Sequence, residues 1–429
     1  MRSIIVRGGR ALHGEVRVEG AKNSVLKLMA ASLLAPGVSR ITNVPTISDI
    51  GVMAEVIRGL GAVVERTDHA LTVDATELTS FEAPYEMVSR MRASIAVLGP
   101  LVARLGQANV AMPGGCNIGS RKIDMHIRGL QELGVRIEFG HGFIHATAPE
   151  GLKGANVTLD FPSVGATENL LMAAVLADGA TVIDNAAREP EIADLADFLI
   201  GMGADIKGVG SPTITVVGVD ALHPVEHRVV GDRIEAGTFL VAGALCGGPV
   251  TVRGFDPRHL SLVLTKLRAT GCDVSLLPDG VTIERTGVVH PVDVQTLPYP
   301  GFPTDMQAQF MALMALAEGD CIITENVFEN RFMFADELVR MGAEVRIEAH
   351  HAIVKGVDRL SGAPVRSPDL RGGAALVLAG LVAEGVTEIG DVYHVERGYE
   401  RFVEKLGSLG ADVEVQEEAI SATSEGGDD

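Results

Sequence analysis

Six segments of helical length along this chain are apolar on every side, at residues 24–35, 94–105, 167–177, 237–246, 307–317 and 374–383. A helix that is apolar all round is buried rather than laid on a surface, so the pattern predicts six core helices. Each runs into a glycine (Gly37, Gly106, Gly179, Gly247, Gly319, Gly385) where a helix C-cap expects one. A strand-like stretch follows, as at residues 39–44, 181–186, 249–254 and 321–326. A second helix then leads to a recurring glycine (Gly61, Gly134, Gly203, Gly271, Gly342, Gly410) with alternating residues after it. Residues 62–73 read as a β-hairpin with a polar turn, and a hairpin is expected at this place in each repeat. The period, about seventy residues, is too long for a solenoid unit.

Buried helices wrapped by strands, six times over, predict an α/β fold in two halves of three repeats, with helices inside and sheets outside. Helix N-termini carry unpaired N–H groups and partial positive charge. Core helices pointing the same way would gather those ends into an anion-attracting surface. The residues at the starts are polar: Lys22 and Asn23; Arg92; Ser163, Val164 and Gly165; Asp232, Arg233 and Glu235; Asp305; Asp369 and Arg371. Capping accounts for Ser163, Thr304 and Asp369. It does not account for Lys22, Arg92 or Arg371, because a cation there opposes the helix dipole. Residues that break a local preference mark a functional site.

Composition narrows the ligand. The 429 residues are 47% hydrophobic and 21% charged, enough for a large core. A net charge of -20 argues against a nucleic-acid or anionic-membrane partner. An anionic ligand must then be met by a local cluster of cations. Four cysteines without CxxC spacing suggest neither a disulfide framework nor a zinc site, which fits a reducing, cytoplasmic compartment. The N-terminus lacks the apolar stretch of a signal peptide, and no apolar run reaches the roughly 18 residues of a membrane span. Residues 419–429 belong to an acidic, small-residue tail expected to be disordered.

Two further features carry chemistry. Residues 112–126 place three glycines and the basic Arg121 and Lys122 around Cys116. This reads as a mobile surface loop whose cations could stabilise a thiolate or hold an anion beside it. Cys246, Cys272 and Cys321 stand in apolar contexts that suit packing. Charged phrases follow the strand after the core helix in several repeats: Asp49; Arg188, Glu189 and Glu191; Glu329 and Arg331; Glu396, Arg397 and Arg401. Surface ion pairing would explain any one of them. Their shared position favours a cleft lined by about half of them.

The motifs GAKN, MRAS, PGGCNIGSR, NAAREPEI, DRIEAGT, FPTDMQAQ, FENRF, DLR and ERGYER occur in that order. With them the chain resembles the enolpyruvyl transferases over nearly its whole length. The resemblance implies an inside-out α/β barrel of two domains. Residues 22–230 would form one, carrying the Cys116 loop as a lid that closes on the nucleotide sugar, and residues 1–21 with 231–418 the other. It implies transfer of the enolpyruvyl group of phosphoenolpyruvate to the 3′-hydroxyl of UDP-N-acetylglucosamine, releasing phosphate, in peptidoglycan precursor synthesis, with no metal and no cofactor. A different acceptor, such as shikimate 3-phosphate, or a catalytically silent nucleotide-sugar binder remains open at this stage.

By the same resemblance Lys22, Asn23, Arg92, Arg121, Arg331, Arg371 and Arg397 would hold phosphoenolpyruvate. Asn23, Arg92, Arg121, Lys122, Ile123, Asp124, Met125, Ser163, Val164, Gly165, Asp305 and Val327 would hold the nucleotide sugar. The catalytic set would be Cys116 as proton donor and Asp305 as base, with Lys22 and Arg397. Phe161 and Pro162 stand where some family members carry a lysine, as does Ser48 before Asp49.

Overall fold

The computed structural model describes residues 2–83, 85–88, 91–112 and 123–417. Six core helices form at the apolar segments: Lys22–Ala31, Leu98–Leu105, Val164–Ala174, Arg233–Cys246, Gln307–Met314 and Leu370–Gly380. Ala, Leu and Met give up little rotamer freedom in a helix, and burial on all sides supplies what propensity alone does not. In the fourth core helix every residue from Arg233 to Leu245 is buried. In the fifth, Phe310 meets Phe302 edge-on at 5.0 Å between ring centroids. Burying one such side chain stabilises the fold by about 1.5–3 kcal/mol.

Among the described residues six four-stranded sheets lie around the helices. In the first, Val38–Thr42 and Val63–Thr67 both pair antiparallel with Ala70–Asp74, and Glu226–Arg228 adds a parallel edge. Alternate residues of Ala70–Asp74 are buried, so one face of the sheet covers the helices. The far end of a three-repeat segment thus closes the sheet of its first repeat. The other three repeats close through the N-terminus. Gly14–Arg17 runs parallel to Val250–Arg253, and Arg2–Arg7 inserts antiparallel between Val386–Gly390 and Asp412–Glu417. The apolar core accordingly falls into two clusters. One uses residues between 25 and 229, and the other residues 4–18 together with 234–409.

The chain passes between the clusters twice, and the two passes touch. Gly20 and Gly231 form an antiparallel bridge, and the Asp232 N–H donates to the Glu19 carbonyl at 2.8 Å. A Cβ on Gly20 would lie 2.0 Å from the Asn43 carbonyl oxygen, and one on Gly231 1.9 Å from that of Gly254. Neither position has room for a side chain.

The structure corrects four expectations. Gly106 and Gly247 do follow directly on their helices as C-caps. Gly37, Gly179, Gly319 and Gly385 instead sit past the last helical turn, with φ from 94 to 142°. There the chain tightens into short turns, such as Ala177 N–H to Ala174 O at 3.1 Å, before the strand. Residues 94–97 are not α-helical but part of a 3-10 segment, Arg92–Val97. Pro100 explains this, since its ring and missing N–H allow it only in the first turn of the helix that starts at Leu98. Among the described residues the sixth repeat has no hairpin after Gly410. Its single strand Asp412–Glu417 pairs with Arg2–Arg7, which takes the place of the second hairpin strand. Finally, Thr304 caps nothing. Its hydroxyl donates to Glu325 at 2.9 Å, and Pro303 precedes the short turn Thr304–Met306.

Candidate functional site

The first core helix begins at Lys22, just after the crossing glycine. Its ammonium lies 2.8 Å from Asp49 Oδ2, and the Arg397 Nε donates to Asp49 Oδ1 at 2.9 Å. Asp49 sits in the first turn of the helix Ser48–Gly59, where a carboxylate suits the dipole. Burial pushes the Lys22 ammonium below its usual range, against the pull of Asp49, and Arg371 and Arg397 push the same way as burial. For Asp49 burial pushes up, but Lys22 and Arg397 outweigh it and hold the carboxyl low. Asp232 caps its own helix through the N–H groups of Ile234 and Glu235. It also accepts from the Lys22 N–H at 3.2 Å, so one carboxylate serves two helix starts from the two clusters.

Beside this lies a second charged group. Asp305, on the turn Thr304–Met306, accepts from Arg331 at 2.7 Å on Oδ1 and from Arg371 at 3.0 and 3.2 Å on Oδ2. Both guanidinium groups are nearly buried, while Asp305 stays a quarter exposed. Asp369 caps the sixth core helix by accepting from the Arg371 and Gly372 N–H groups, which offsets the cation placed at that helix start. Burial would push the Arg371 guanidinium down, but Tyr399, Asp305 and Asp232 reverse it and hold it firmly charged. The Arg371 guanidinium lies over the Tyr399 ring at 5.2 Å. Gln309 and Thr238 hold the Tyr399 hydroxyl at 3.2 and 3.0 Å, and Gln309 also donates to the Asp305 carbonyl. Through Arg371 the two groups act on each other, so Lys22, Asp49, Arg397, Arg371, Asp305 and Arg331 form one electrostatic cluster.

Other sequence-derived residues stand on the third core helix, the helix Asp124–Glu132 and the turns elsewhere in the two halves. Ser163 caps the third core helix by accepting from the Ala166 N–H at 3.3 Å, with Val164 and Gly165 in its first turn. A Cβ on Gly165 would lie 3.1 Å from the His126 ring, and His126 bonds Asn169 at 2.9 Å. That contact joins Ile123, Asp124 and Met125, at the start of the helix Asp124–Glu132, to the Ser163 turn. The Asp124 carboxylate itself pairs with Arg128 on its own helix. Asn23 is exposed, and the Val327 N–H donates to Glu325 at 2.9 Å. Arg233 donates to both oxygens of Glu191 at 3.0 and 3.4 Å through Nε, and Tyr299 N–H donates to Glu189 at 3.2 Å. Glu396 and Arg401 turn outward, to Arg2 and Glu404. Of Arg92 only the backbone is described. Cys116, Arg121, Lys122 and the tail 419–429 lie outside the described residues, and with them the expected lid.

Several residues of this site escaped the sequence reading: Glu325, which ties Thr304 to the 327–328 turn; Gln309 and Tyr399 beneath Arg371; and His126 with Asn169. Gln309, Asn169 and Thr238 carried a usable signal, being polar side chains within otherwise apolar core helices. Among the described residues no group of three or more His, Cys, Asp or Glu could hold a metal ion, and no helix is long and apolar enough to cross a membrane. A cavity of about 410 Å³ lined by Glu19, Thr42, Asn43, Thr67, Asp68, His69, Ala70 and Arg228 contains none of the clustered cations.

The profile of the family described as EPSP synthase (3-phosphoshikimate 1-carboxyvinyltransferase) matches residues 6–406. The chain is 55% identical to a protein of Corynebacterium jeikeium named UDP-N-acetylglucosamine 1-carboxyvinyltransferase, over 96% of this chain and 98% of that one. A protein of the same name from Mycobacterium leprae is 54% identical over 96% and 98%. The enolpyruvyl transferase NikO from Streptomyces tendae superposes with a TM-score of 0.87 at 29% identity, covering 96% and 98%. An EPSP synthase from Acinetobacter baumannii shares the fold, with a TM-score of 0.77 at 20% identity over 97% and 100%.

Proposed function

We propose, on the premise that this chain belongs to the EPSP synthase family of enolpyruvyl transferases, that it transfers the enolpyruvyl group of phosphoenolpyruvate to the 3′-hydroxyl of UDP-N-acetylglucosamine and releases phosphate. The observation that carries this reading is the cluster of three buried cations, Lys22, Arg331 and Arg371, with the partly buried Arg397, around two carboxylates. Phosphoenolpyruvate packs a phosphate and a carboxylate into a small volume, and desolvating it requires several fixed cations. The high identity to relatives bearing the UDP-N-acetylglucosamine name favours that acceptor.

In this reading Lys22, Arg331, Arg371 and Arg397 hold phosphoenolpyruvate together with Asn23, Arg92 and Arg121. Asn23, Arg92, Arg121, Lys122, Ile123, Asp124, Met125, Ser163, Val164, Gly165 and Val327 meet the nucleotide sugar. The N–H groups at the Ser163 turn suit its diphosphate. The sugar 3′-oxygen attacks C2 of the enol as Asp305 takes the hydroxyl proton and the Cys116 thiol gives its proton to the methylene carbon. Loss of a proton from that methyl group then restores the double bond as the C2–O bond to phosphate breaks, with the cations stabilising the departing charge. Residues 22–230 form one domain and residues 1–21 with 231–418 the other, a division supported by the two apolar clusters. The reaction would supply the first committed peptidoglycan precursor, in the cytoplasm.

The family profile carries the shikimate name, so the acceptor is the point to test. Phosphate release from phosphoenolpyruvate should require UDP-N-acetylglucosamine and not proceed with shikimate 3-phosphate. Release with the shikimate compound alone would overturn the acceptor. Tight nucleotide-sugar binding without release from either would overturn the activity.

A further inference from the structure

We propose that Asp49 is a positioning residue: it aims Lys22, from one half of the molecule, and Arg397, from the other, at a single anionic group of phosphoenolpyruvate. The inference rests on the reading above and adds to it a residue outside the cation set. Asp49 Oδ2 lies 2.8 Å from the Lys22 ammonium and 3.4 Å from Arg397 Nη2, while Oδ1 accepts from Arg397 Nε at 2.9 Å. Lys22 and Arg397 thus share one carboxylate oxygen although they stand at opposite ends of the sequence. Without the carboxylate the two cations could not both hold this place, since like charges repel and both are largely withdrawn from water. The carboxylate is only 3% exposed and its position is set by a helix start, not by a mobile loop. It belongs to the framework and points both cations the same way.

The surroundings of Lys22 show why the charge of Asp49 matters. Arg397 and Arg371 face Lys22 from the other half, Asp232 meets its backbone N–H, and Asp194 takes the hydroxyl of the neighbouring Ser24. Further along the first core helix Lys27 is paired with Glu168. Burial and the two arginines disfavour the ammonium form, and Asp49 opposes them through both charge and hydrogen bonding. Lys22 must be protonated to hold an anion. Without Asp49 it would lose its proton at a lower pH, and Arg397 would lose its two hydrogen bonds to that carboxylate.

The test compares wild type with Asp49→Asn and Asp49→Glu by steady-state phosphate release between about pH 6 and 10. Asp49→Asn should raise KM for phosphoenolpyruvate about 10- to 100-fold with a smaller loss in kcat, and should move the alkaline limb of kcat/KM down by about 1–3 pH units. Asp49→Glu, which keeps the charge, should restore the limb while leaving part of the KM defect. A limb that stays in place in Asp49→Asn, or tighter phosphoenolpyruvate binding in that variant, would overturn the proposal. The second result would make Asp49 a competitor of substrate instead. Nuclear magnetic resonance titration of the Lys22 amine in the unliganded wild type, assigned through Lys22→Arg, needs neither activity nor a folded Asp49 variant. The ammonium should persist at neutral pH. A neutral amine at pH 7 would overturn the proposal even if the enzyme turns over, and a wild type that releases no phosphate would defeat the functional reading while leaving this titration decisive.

Discussion

Two glutamates inside the core, Glu168 and Glu235, should make the protein less stable as pH rises from about 4.5 to 7. Each is fully buried beside one lysine: Lys27 Nζ is 2.7 Å from Glu168 Oε2, and Lys405 Nζ is 2.7 Å from Glu235 Oε1. Burial pushes both carboxyl groups up to about 7, from an ordinary 4.5, because the nearby lysine only partly offsets desolvation. The folded state therefore keeps a proton that the unfolded chain has already released. The stability this contributes is full below about pH 4.5 and is lost as pH climbs through 7, at about 1.4 kcal/mol per unit and per group, or about 3 kcal/mol each over the window. Glu168→Gln replaces the protonated form with a neutral isostere. It should match wild type near pH 5 and exceed it by up to about 3 kcal/mol by pH 8. The chain has no tryptophan, so urea unfolding is best followed by far-ultraviolet circular dichroism at each pH. His259 and His394, whose imidazoles are pushed down chiefly by burial, give stability that grows as pH rises through about 6.5. They are common to both proteins and cancel in the difference. A difference between variant and wild type that stays flat from pH 5 to 8 would refute the reasoning.

Asp305→Ala should lower turnover by about 100- to 10,000-fold while calorimetric affinity for UDP-N-acetylglucosamine changes about tenfold or less; equal losses in both would argue against a base role. Iodoacetamide should label Cys116 before the other thiols, because burial pushes Cys246 and Cys321 up to about 12 and raises Cys272 as well; peptide mass spectrometry finding Cys246 or Cys272 modified first would count against it. Gly20→Ala, which forces a Cβ to 2.0 Å from the Asn43 carbonyl, should destabilise by about 3 kcal/mol or more. Gly407→Ala, in the helix Phe402–Ser408 with open space around it, should be neutral or stabilise by up to about 1 kcal/mol, and thermal unfolding of the pair separates the two cases.

The fold was legible because its strongest signal is local. A helix that is apolar all round can only be buried, and six of them at one period fix how many units share the core. What the pattern missed depended on partners far along the chain. Nothing near residue 410 says that the strand Asp412–Glu417 pairs with Arg2–Arg7. Nothing near Gly179 says that its helix ends at Ala174. At the site, Lys22 and Arg371 stood out because they oppose the helix dipole. Asp49 was visible only as one of several charged positions after a strand, since a carboxylate in a first turn is what local preference allows. Glu325 gave no signal at all, for its work is to satisfy Thr296, Thr304 and two backbone N–H groups brought together by the fold.

Polar contacts join the two halves at the charged cluster. The apolar side chains divide into two clusters, each closed by its own sheets. What crosses is polar: Asp49 to Arg397, Glu191 to Arg233, Asp232 to the Lys22 N–H and Glu189 to the Tyr299 N–H. A buried ion pair contributes little net stability because desolvation cancels most of the attraction. Cations already held by a carboxylate can take a further contact from an incoming anion, whereas an apolar interface would have to be broken outright. The same carboxylates that hold the cations in place without substrate keep them aimed at a phosphate or carboxylate that adds to the contact. On this view the ion pairs across the gap preserve the geometry of a binding site rather than weld the halves together, and the rigidity comes from the helix starts on either side.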